Sequence, residues 1–180
     1  LSNNPEYNEN SNRAFASATN DIDRNSHDRV DYLNDGNHSE NRRWTNWSPT
    51  PSSNSEVSAG VIFRENGKIV ERTVAQAKLH FFADSGTDAP SKLVLERYIG
   101  PEFEVPTYYS NYQAYDADHP FNNPENWEAV PYRADKDIAA GDEINVTFKA
   151  VKAKAMRWRM ERKADKSGVA MIEMTFLAPS

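Results

Sequence analysis

The segment RVDYLNDGN (residues 29–37), followed by RWTNW (residues 43–47), is the most informative part of this chain. Asp35 and Asn37 place oxygen ligands around Gly36, a residue that lets the backbone fold back on itself. Carboxylate, amide and main-chain carbonyl oxygens in one turn suit a hard cation such as calcium. Because two tryptophans follow closely, we expect this turn to pack against the core. The segment therefore predicts a metal-stapled turn at the entrance to a β-rich domain.

Length and charge narrow the class of protein. A chain of 180 residues with 38% apolar content can fill one core, so we expect a single domain over residues 1–180. The chain opens at Leu1 without a methionine or a signal peptide, and we interpret it as a module cut from a longer polypeptide. A net charge of −6 with no clustered basic surface argues against nucleic acid as a partner. No apolar run approaches the ~20 residues that span a bilayer, so no membrane partner is expected.

Alternating hydrophobicity predicts short β-strands from residue 58 onward. Apolar and polar residues alternate over 74–83, 144–150 and 156–160, and Leu93, Leu95 and Ile99 continue the pattern. Helical periodicity is missing. The final segment, Gly168 to Ala178, is apolar on both faces except for Glu173, so we expect it to lie centrally in a sheet. Residues 1–28 are rich in Asn, Ser and Asp and are expected to be irregular, with the exception of Ala14, Phe15, Ala16 and Ala18, which are candidates for the core. Turn signals at roughly ten-residue spacing predict an all-β sandwich or jelly roll.

Residues 100–126 form the longest irregular stretch, and long excursions from compact domains are usually functional. Aromatic rings beside amides suit a sugar, because its apolar C–H face stacks on a ring while its hydroxyls need donors and acceptors. This excursion therefore predicts a sugar-binding platform, although the same rings could instead pack the loop onto the sheet. The residues selected for the platform are Tyr108, Tyr109, Asn111, Tyr112 and His119. The loop Asp84 to Lys92, together with Asp21 to His27, is the alternative platform.

Signatures of catalysis are scarce in this chain. It has no cysteine, no Gly-x-Ser-x-Gly elbow, no His-Glu-x-x-His helix and no glycine-rich phosphate loop. A pair of glycosidase carboxylates could be hidden among 27 acidic residues, but sequence spacing does not reveal one. Trp127 and Trp158 lie in strand-like sequence, so we expect both in the core. The sequence favours a non-catalytic binding domain over an enzyme.

Five short motifs, taken in their order and spacing, carry a resemblance to a known family. They are AFAS (14–17), VDYLNDG (30–36), RWTNW (43–47), the stretch from INVTF (144–148) to Trp158, and MIEM (171–174). From about residue 12 to 178 the chain resembles discoidin-type carbohydrate-binding modules. It is most similar to the family 71 modules at the C-terminus of streptococcal surface β-galactosidases, which are related to family 32. That resemblance implies a jelly-roll β-sandwich of the galactose-binding-domain-like type.

The resemblance also implies a structural calcium ion. Its ligands would be the Asp35 carboxylate, main-chain oxygens of Leu33 and Asn37, and the Glu173 carboxylate from the closing strand. Glu173 is the only charge in an apolar strand, and an uncompensated buried carboxylate is costly. An ion pair between Glu173 and Arg157 or Arg43 is the alternative explanation.

The function implied is non-catalytic recognition of terminal galactose-containing glycans of the lactose or N-acetyllactosamine type. Such a module would target a parent β-galactosidase, or a whole bacterium, to host glycans. We expect the isolated module to be a monomer and its parent protein to be extracellular, on the bacterial cell surface. The alternative is a structural β-sandwich that adheres to a host protein without binding glycans.

Overall fold

The regular structure of the chain is almost entirely β. The computed structural model describes residues 6–7, 12–20, 28–51, 55–106 and 118–180. Helical structure in these ranges is limited to 3₁₀ helices at Val30–Asn34, Pro120–Asn122 and Pro124–Asn126. No helix in the described part of the chain is long and apolar enough to cross a membrane. The strands, in chain order, are β1 (Arg13–Ala16), β2 (Trp44–Thr45), β3 (Glu56–Ile62), β4 (Arg64–Glu65), β5 (Lys68–Ile69), β6 (Arg72–Phe81), β7 (Thr87–Asp88), β8 (Lys92–Tyr98), β9 (Trp127–Ala129), β10 (Tyr132–Ala134), β11 (Ile144–Ala153), β12 (Ala155–Glu161) and β13 (Gly168–Leu177).

The strands form two main sheets and a small hairpin. One sheet has the order β1-β3-β12-β8-β9, and the other has the order β10-β11-β6-β13-β2 with β7 pairing parallel to β13. Strands β4 and β5 make the hairpin. Neighbouring strands in both main sheets run antiparallel. The prediction of an all-β jelly-roll sandwich is confirmed.

The main core fills the space between the two sheets. Val61 and Trp158 enter it from the five-stranded sheet, and Leu79 and Phe176 enter it from the other; all four are 0% exposed. Because side chains alternate along a strand, each sheet buries every second residue against its partner. β13 is buried along its whole length between β6 and β2, as its continuous apolar run predicted.

A second apolar cluster covers part of the outer face of the five-stranded sheet. Phe15, Tyr98, Phe121 and Trp127 belong to it, and the rings of Phe15 and Tyr98 each pack on Phe121 and Trp127 with centroids 4.7–6.1 Å apart. Phe121 and Trp127 come from the excursion 100–126 or its end, so the described part of that excursion folds back over the sheet. Trp127, 6% exposed, therefore belongs to this outer cluster, whereas Trp158 belongs to the main core.

Three expectations about strands were wrong in detail. Residues 13–16 form β1, which pairs with β3, so this part of the amino-terminal region is regular. Ala150 is exposed because the register of β11 against β6 shifts between Thr147 and Val151, which interrupts the alternation. Ile99 is 47% exposed because β8 ends at Tyr98.

Candidate functional site

The predicted metal turn and the closing strand lie in contact. The 3₁₀ helix Val30–Asn34 buries Leu33 at 0% exposure and leads into Gly36, whose φ of +75° is in the left-handed region that glycine favours. The main-chain amide of Gly36 donates a hydrogen bond of 3.0 Å to Oε2 of Glu173. The Glu173 side chain is 1% exposed. The juxtaposition of the turn with this strand, expected from the resemblance, is present in the structure.

Asp35 has protein partners for both of its carboxylate oxygens. Oδ1 accepts a hydrogen bond of 2.9 Å from the Asn37 amide, and Oδ2 accepts one of 2.7 Å from Nε of Arg42. The hydrogen bond to Asp35 is the main cause that raises the pKa of Arg42 above its ordinary value. Among the described residues, no three His, Cys, Asp or Glu side chains converge as a metal cluster. A calcium ion here would therefore depend on main-chain oxygens as well as on Asp35 and Glu173.

The two arginines considered as partners for Glu173 are engaged elsewhere. Arg157 binds Glu96 at 2.9 Å, on the outer face of the five-stranded sheet. Arg43 binds Asp28 at 3.0 Å. The Glu173 carboxylate thus contacts the turn at Gly36, whereas these two arginines form ion pairs with Glu96 and Asp28.

The predicted tyrosine platform lies mostly outside the described residues. Tyr108, Tyr109, Asn111 and Tyr112 all fall in the range 107–117, so their assignment stays a prediction.

His119 is the one member of the predicted platform within the described residues. Its Nδ1 accepts a hydrogen bond of 3.1 Å from the Phe121 amide, which requires the ring proton on Nε2 if the imidazole is neutral. Nε2 then donates to the Glu104 carbonyl at 2.7 Å. The ring also packs on Phe121, with 4.5 Å between centroids. His119 thus caps a 3₁₀ helix and joins two parts of the excursion, and both of its nitrogens bind main-chain groups.

A polar cleft lies at the loop that the sequence offered as the alternative platform. The cleft has a volume of about 230 Å³ and sits between the end of β2 and the loop joining β6 to β7. Segment 21–27, the other half of that alternative, lies outside the described residues. The lining residues are Asn20, Asp28, Arg43, Thr45, Trp47, Asp84, Ser85, Gly86 and Thr87.

Arg43 is held rigidly in the wall of this cleft. Its Nε binds Asp28 Oδ1 at 3.0 Å, with side-chain exposures of 18% and 17%. Nη1 donates to the Glu40 carbonyl at 2.5 Å, and the guanidinium lies 4.4 Å from the ring centroid of Phe82. A guanidinium carries five N–H donors in one plane, so a group fixed in this way presents its remaining donors in a defined direction.

Asn20 supplies a buried acceptor beside this ion pair. Its Nδ2 donates a hydrogen bond to Asp28 Oδ2 at 3.2 Å, and its Oδ1 takes no part in that bond. Asn20 is 9% exposed, and Oδ1 has no hydrogen-bond partner among the described residues. Buried polar atoms are rarely left unsatisfied, and an acceptor that lines a cleft can be satisfied by a hydroxyl of a bound molecule.

Trp47 forms an aromatic wall of the cleft, and the β6–β7 loop packs tightly against it. A Cβ atom added to Gly86 would lie 2.6 Å from Nε1 and 2.9 Å from Cδ1 of the indole. The main chain beside Trp47 is anchored to β13, because Asn46 Oδ1 accepts a hydrogen bond of 2.8 Å from the Val169 amide. The half-buried indole is therefore fixed from two sides.

Asp84 organises the loop opposite Arg43. Its Oδ1 accepts hydrogen bonds from the Gly86 amide (2.9 Å), the Thr87 amide (2.8 Å) and the Thr87 hydroxyl (2.9 Å). Burial acts to raise the pKa of Asp84, but these hydrogen bonds and the charge of Arg43 outweigh it and lower the pKa below the ordinary 3.8. The loop is thus a preorganised turn with its carboxylate ionised.

The cleft contains the kinds of groups that a saccharide needs. It combines an indole wall, a guanidinium–carboxylate pair and a buried amide oxygen, which together offer a stacking surface, donors and acceptors. The sequence indicated Trp47 only as part of the RWTNW motif and Arg43 only there and as a possible partner of Glu173. It did not indicate Asn20 or Asp28 as binding residues. Trp47 could have been recognised as a binding residue because it follows β2, whose two residues Trp44 and Thr45 are buried. A tryptophan outside the strand need not belong to the core.

A two-sheet jelly roll with a polar, tryptophan-lined cleft between its loops defines a lectin-like carbohydrate-binding module. The family model of the beta-galactosidase-like galactose-binding domain, the BgaA-like carbohydrate-binding modules, matches residues 14–174. This chain belongs to that family, and it is a non-catalytic module as the sequence predicted. None of the curated proteins searched matches the chain.

Solved structures agree with this family. A structure from the Streptococcus pneumoniae beta-galactosidase BgaA is 95% identical, with a TM-score of 0.91 over 96% of this chain and 99% of that one. A family 32 module of Clostridium perfringens GH89, in complex with GalNAc-β-1,3-galactose, is 13% identical with a TM-score of 0.63 over 97% and 100%. A chitosan-binding module from Paenibacillus sp. IK-5 is 17% identical with a TM-score of 0.59 over 97% and 99%. The last two likenesses show the shared fold.

Proposed function

We propose that this module recognises terminal galactose-containing glycans of the lactose or N-acetyllactosamine type through the cleft at Trp47. The observation that carries the proposal is the convergence of the Trp47 indole, the Arg43–Asp28 pair and the Asn20 amide oxygen around one opening. The family name supports galactose as the sugar, as does the disaccharide bound by the related Clostridium perfringens module.

Each group in the cleft has a distinct part in binding. The C–H face of a galactose unit stacks on the Trp47 indole, which supplies most of the buried apolar area. Asn20 Oδ1 accepts a sugar hydroxyl, and Arg43 donates to a hydroxyl or ring oxygen. Because few atoms are buried in a cleft of this size, single-site affinity is of order tens of micromolar to millimolar. Several modules in one parent chain would raise avidity.

Calorimetric titration of the wild-type module and Trp47→Ala with lactose tests this assignment. We expect Trp47→Ala to weaken lactose binding at least about tenfold, or 1.4 kcal/mol, while the melting temperature stays close to that of the wild type. Tyr109→Ala is the matched comparison, because it removes an aromatic ring from the competing platform. Loss of binding in Tyr109→Ala alone would move the site to the tyrosine-rich excursion.

We infer that a structural calcium ion is held by Asp35, Glu173 and main-chain oxygens of Leu33 and Asn37. The contact between Gly36 and the buried Glu173 carboxylate supports this, because it brings the closing strand to an oxygen-rich turn. A cation there would compensate the charge of a carboxylate that is 1% exposed. Arg42, with a side chain 40% exposed, competes with calcium for Asp35.

The biological role that fits these properties is targeting. The module would hold a parent β-galactosidase, or the bacterium that displays it, on host glycans; the module itself would act as an extracellular monomer on the cell surface. A glycan array run with and without calcium tests this role. Absence of any glycan signal, together with capture of a host protein, would instead select the adhesion domain without glycan binding.

A further inference from the structure

The outer face of the five-stranded sheet is covered on one side and open on the other. The apolar cluster around Phe121 and Trp127 covers the side near β9. Beside it lies an open groove of about 400 Å³, larger than the cleft at Trp47. The groove is lined by Ser17, Glu56, Val57, Ser58, Glu96, Phe121, Asn122, Pro124, Arg157 and Arg159.

A buried ion pair forms the floor of this groove. Nε of Arg157 donates to Oε1 of Glu96 at 2.9 Å, and the two side chains are only 9% and 10% exposed. Nη1 of Arg157 donates to the Phe121 carbonyl at 3.3 Å, and its guanidinium lies 4.0 Å from a Trp127 ring centroid. Desolvating an ion pair is costly, so a pair kept under a groove needs good geometry on every side. These contacts supply that geometry and fix the charged groups before any ligand arrives.

A second, more exposed ion pair continues the network along the groove. Arg159 contacts Glu56 Oε2 through Nη1 at 3.2 Å and Glu96 Oε2 through Nε at 3.4 Å. Two of the five N–H groups of its guanidinium make these contacts, and its side chain is 34% exposed. Arg159 and Glu56, whose side chain is 42% exposed, are therefore the members of the network that a ligand can reach.

The charges of the groove cancel, which constrains what it can hold. Its charged residues are two arginines and two glutamates, each bound to an opposite partner. Because these charges balance, the groove offers no net electrostatic attraction to an anionic or a cationic ligand. A neutral ligand that both donates and accepts hydrogen bonds can bridge guanidinium and carboxylate groups without separating them. Sugar hydroxyls have this property, and the exposed Pro124 ring provides an apolar edge against which a sugar can lie.

We propose that this groove is a second carbohydrate-binding site, which takes a neutral saccharide unit through Arg159, Glu56 and the fixed Arg157–Glu96 pair. The site is distinct from the cleft at Trp47, because the two share no lining residue. Its volume lies within the roughly 300–1,000 Å³ range of small-molecule sites. Two separate sites on one module would let a single domain engage two arms of a branched glycan.

The test uses the Trp47→Ala variant, so that binding at the cleft is weakened and the groove is observed separately. A neutral tetrasaccharide of alternating galactose and N-acetylglucosamine is titrated while the Nε–Hε NMR signals of Arg157 and Arg159 are followed. We expect these signals to shift saturably in Trp47→Ala as in the wild type. Adding Glu56→Gln or Arg159→Met should weaken the groove binding at least about fivefold.

Controls separate this outcome from general disturbance. Lys163→Met breaks a comparably exposed ion pair with Asp88 at 3.0 Å, away from the groove, and should leave the Arg159 titration unchanged. Arginine signals that do not move in Trp47→Ala up to millimolar tetrasaccharide would overturn the proposal. A sialylated sugar that binds the groove more tightly than the neutral one would also contradict it. The cleft proposal is judged separately, from the lactose affinity of Trp47→Ala against the wild type.

Discussion

Glu173 and Gly36 are 137 residues apart in sequence and are joined by a hydrogen bond of 3.0 Å. This bond ties the closing strand to the turn that follows the first 3₁₀ helix. It makes the carboxylate of Glu173 part of two structures, the buried strand β13 and the exposed Asp35–Asn37 bend. Several consequences of these contacts can be measured.

Removal of calcium should lower the melting temperature, because an ion that binds only the folded module stabilises it by an amount that grows with the logarithm of its concentration relative to Kd. We expect excess EDTA to lower the wild-type melting temperature and to have little effect on Glu173→Gln. Prolonged incubation before each scan allows for slow ion release. Identical wild-type curves with calcium and with chelator would show that the turn binds no stabilising ion.

The neighbouring arginines Arg42 and Arg43 should have separable effects. Arg43→Gln removes a guanidinium donor from the cleft and breaks the ion pair with Asp28, so we expect lactose affinity to fall about tenfold. Arg42→Gln releases Asp35 from its competitor, so calcium affinity should rise severalfold while lactose affinity is retained. Calorimetric titration of each variant with lactose and with calcium measures these affinities. Equal losses of lactose binding in the two variants would refute the assignment of Arg43 to the cleft.

Gly86→Ala should weaken sugar binding without unfolding the module. The added methyl group would lie 2.6 Å from Trp47 Nε1, so either the loop or the indole must move. We expect a loss of lactose affinity of about tenfold and a small fall in melting temperature. Ser91→Ala, at an exposed position that does not line the cleft, is the control. An unchanged affinity in Gly86→Ala would mean that the position of the indole does not matter for binding.

Asp84 should make the module less stable in acid. Its pKa is lowered in the folded state, so its contribution to the free energy of unfolding is fully present above the unfolded value of 3.8. That contribution is lost as the pH falls through the lower folded pKa, because the unfolded chain then binds the proton more readily. Urea unfolding at about pH 5 and about pH 3 should show a smaller acid-induced loss in Asp84→Asn. A loss equal to that of the wild type would exclude Asp84 as a contributor.

Much of the β-sandwich was predictable because apolar and polar residues alternate along its strands. Leu79, Trp158 and the continuous run of β13 occupy the core positions that their periodicity indicated. Ala150 was misplaced because a register shift in β11 is not visible as a break in the apolar pattern. β1 was not predicted as a strand because its four residues lie within a polar region, although Ala14, Phe15 and Ala16 are buried as expected.

The cleft was harder to predict than the scaffold because its parts are distant in sequence. Asn20, Arg43 and Asp84 come from three different connections, and no local motif marks their convergence. Composition drew attention to the tyrosine-rich segment instead, and four of its five selected residues lie outside the described ranges. Glu173 could be identified from the sequence because it is a single charged residue in an otherwise apolar strand. A cleft assembled from single residues of separate loops leaves no such mark.

The adjacency of Arg42 and Arg43 has a thermodynamic consequence. One peptide bond joins the residue that contacts the Asp35 turn to the residue that lines the sugar cleft. Any displacement of this dipeptide on ion binding would reach the saccharide, and the coupling would be reciprocal. Galactose would then change calcium affinity by the same factor as calcium changes galactose affinity. In that case the ion concentration around the cell would tune how firmly the module adheres.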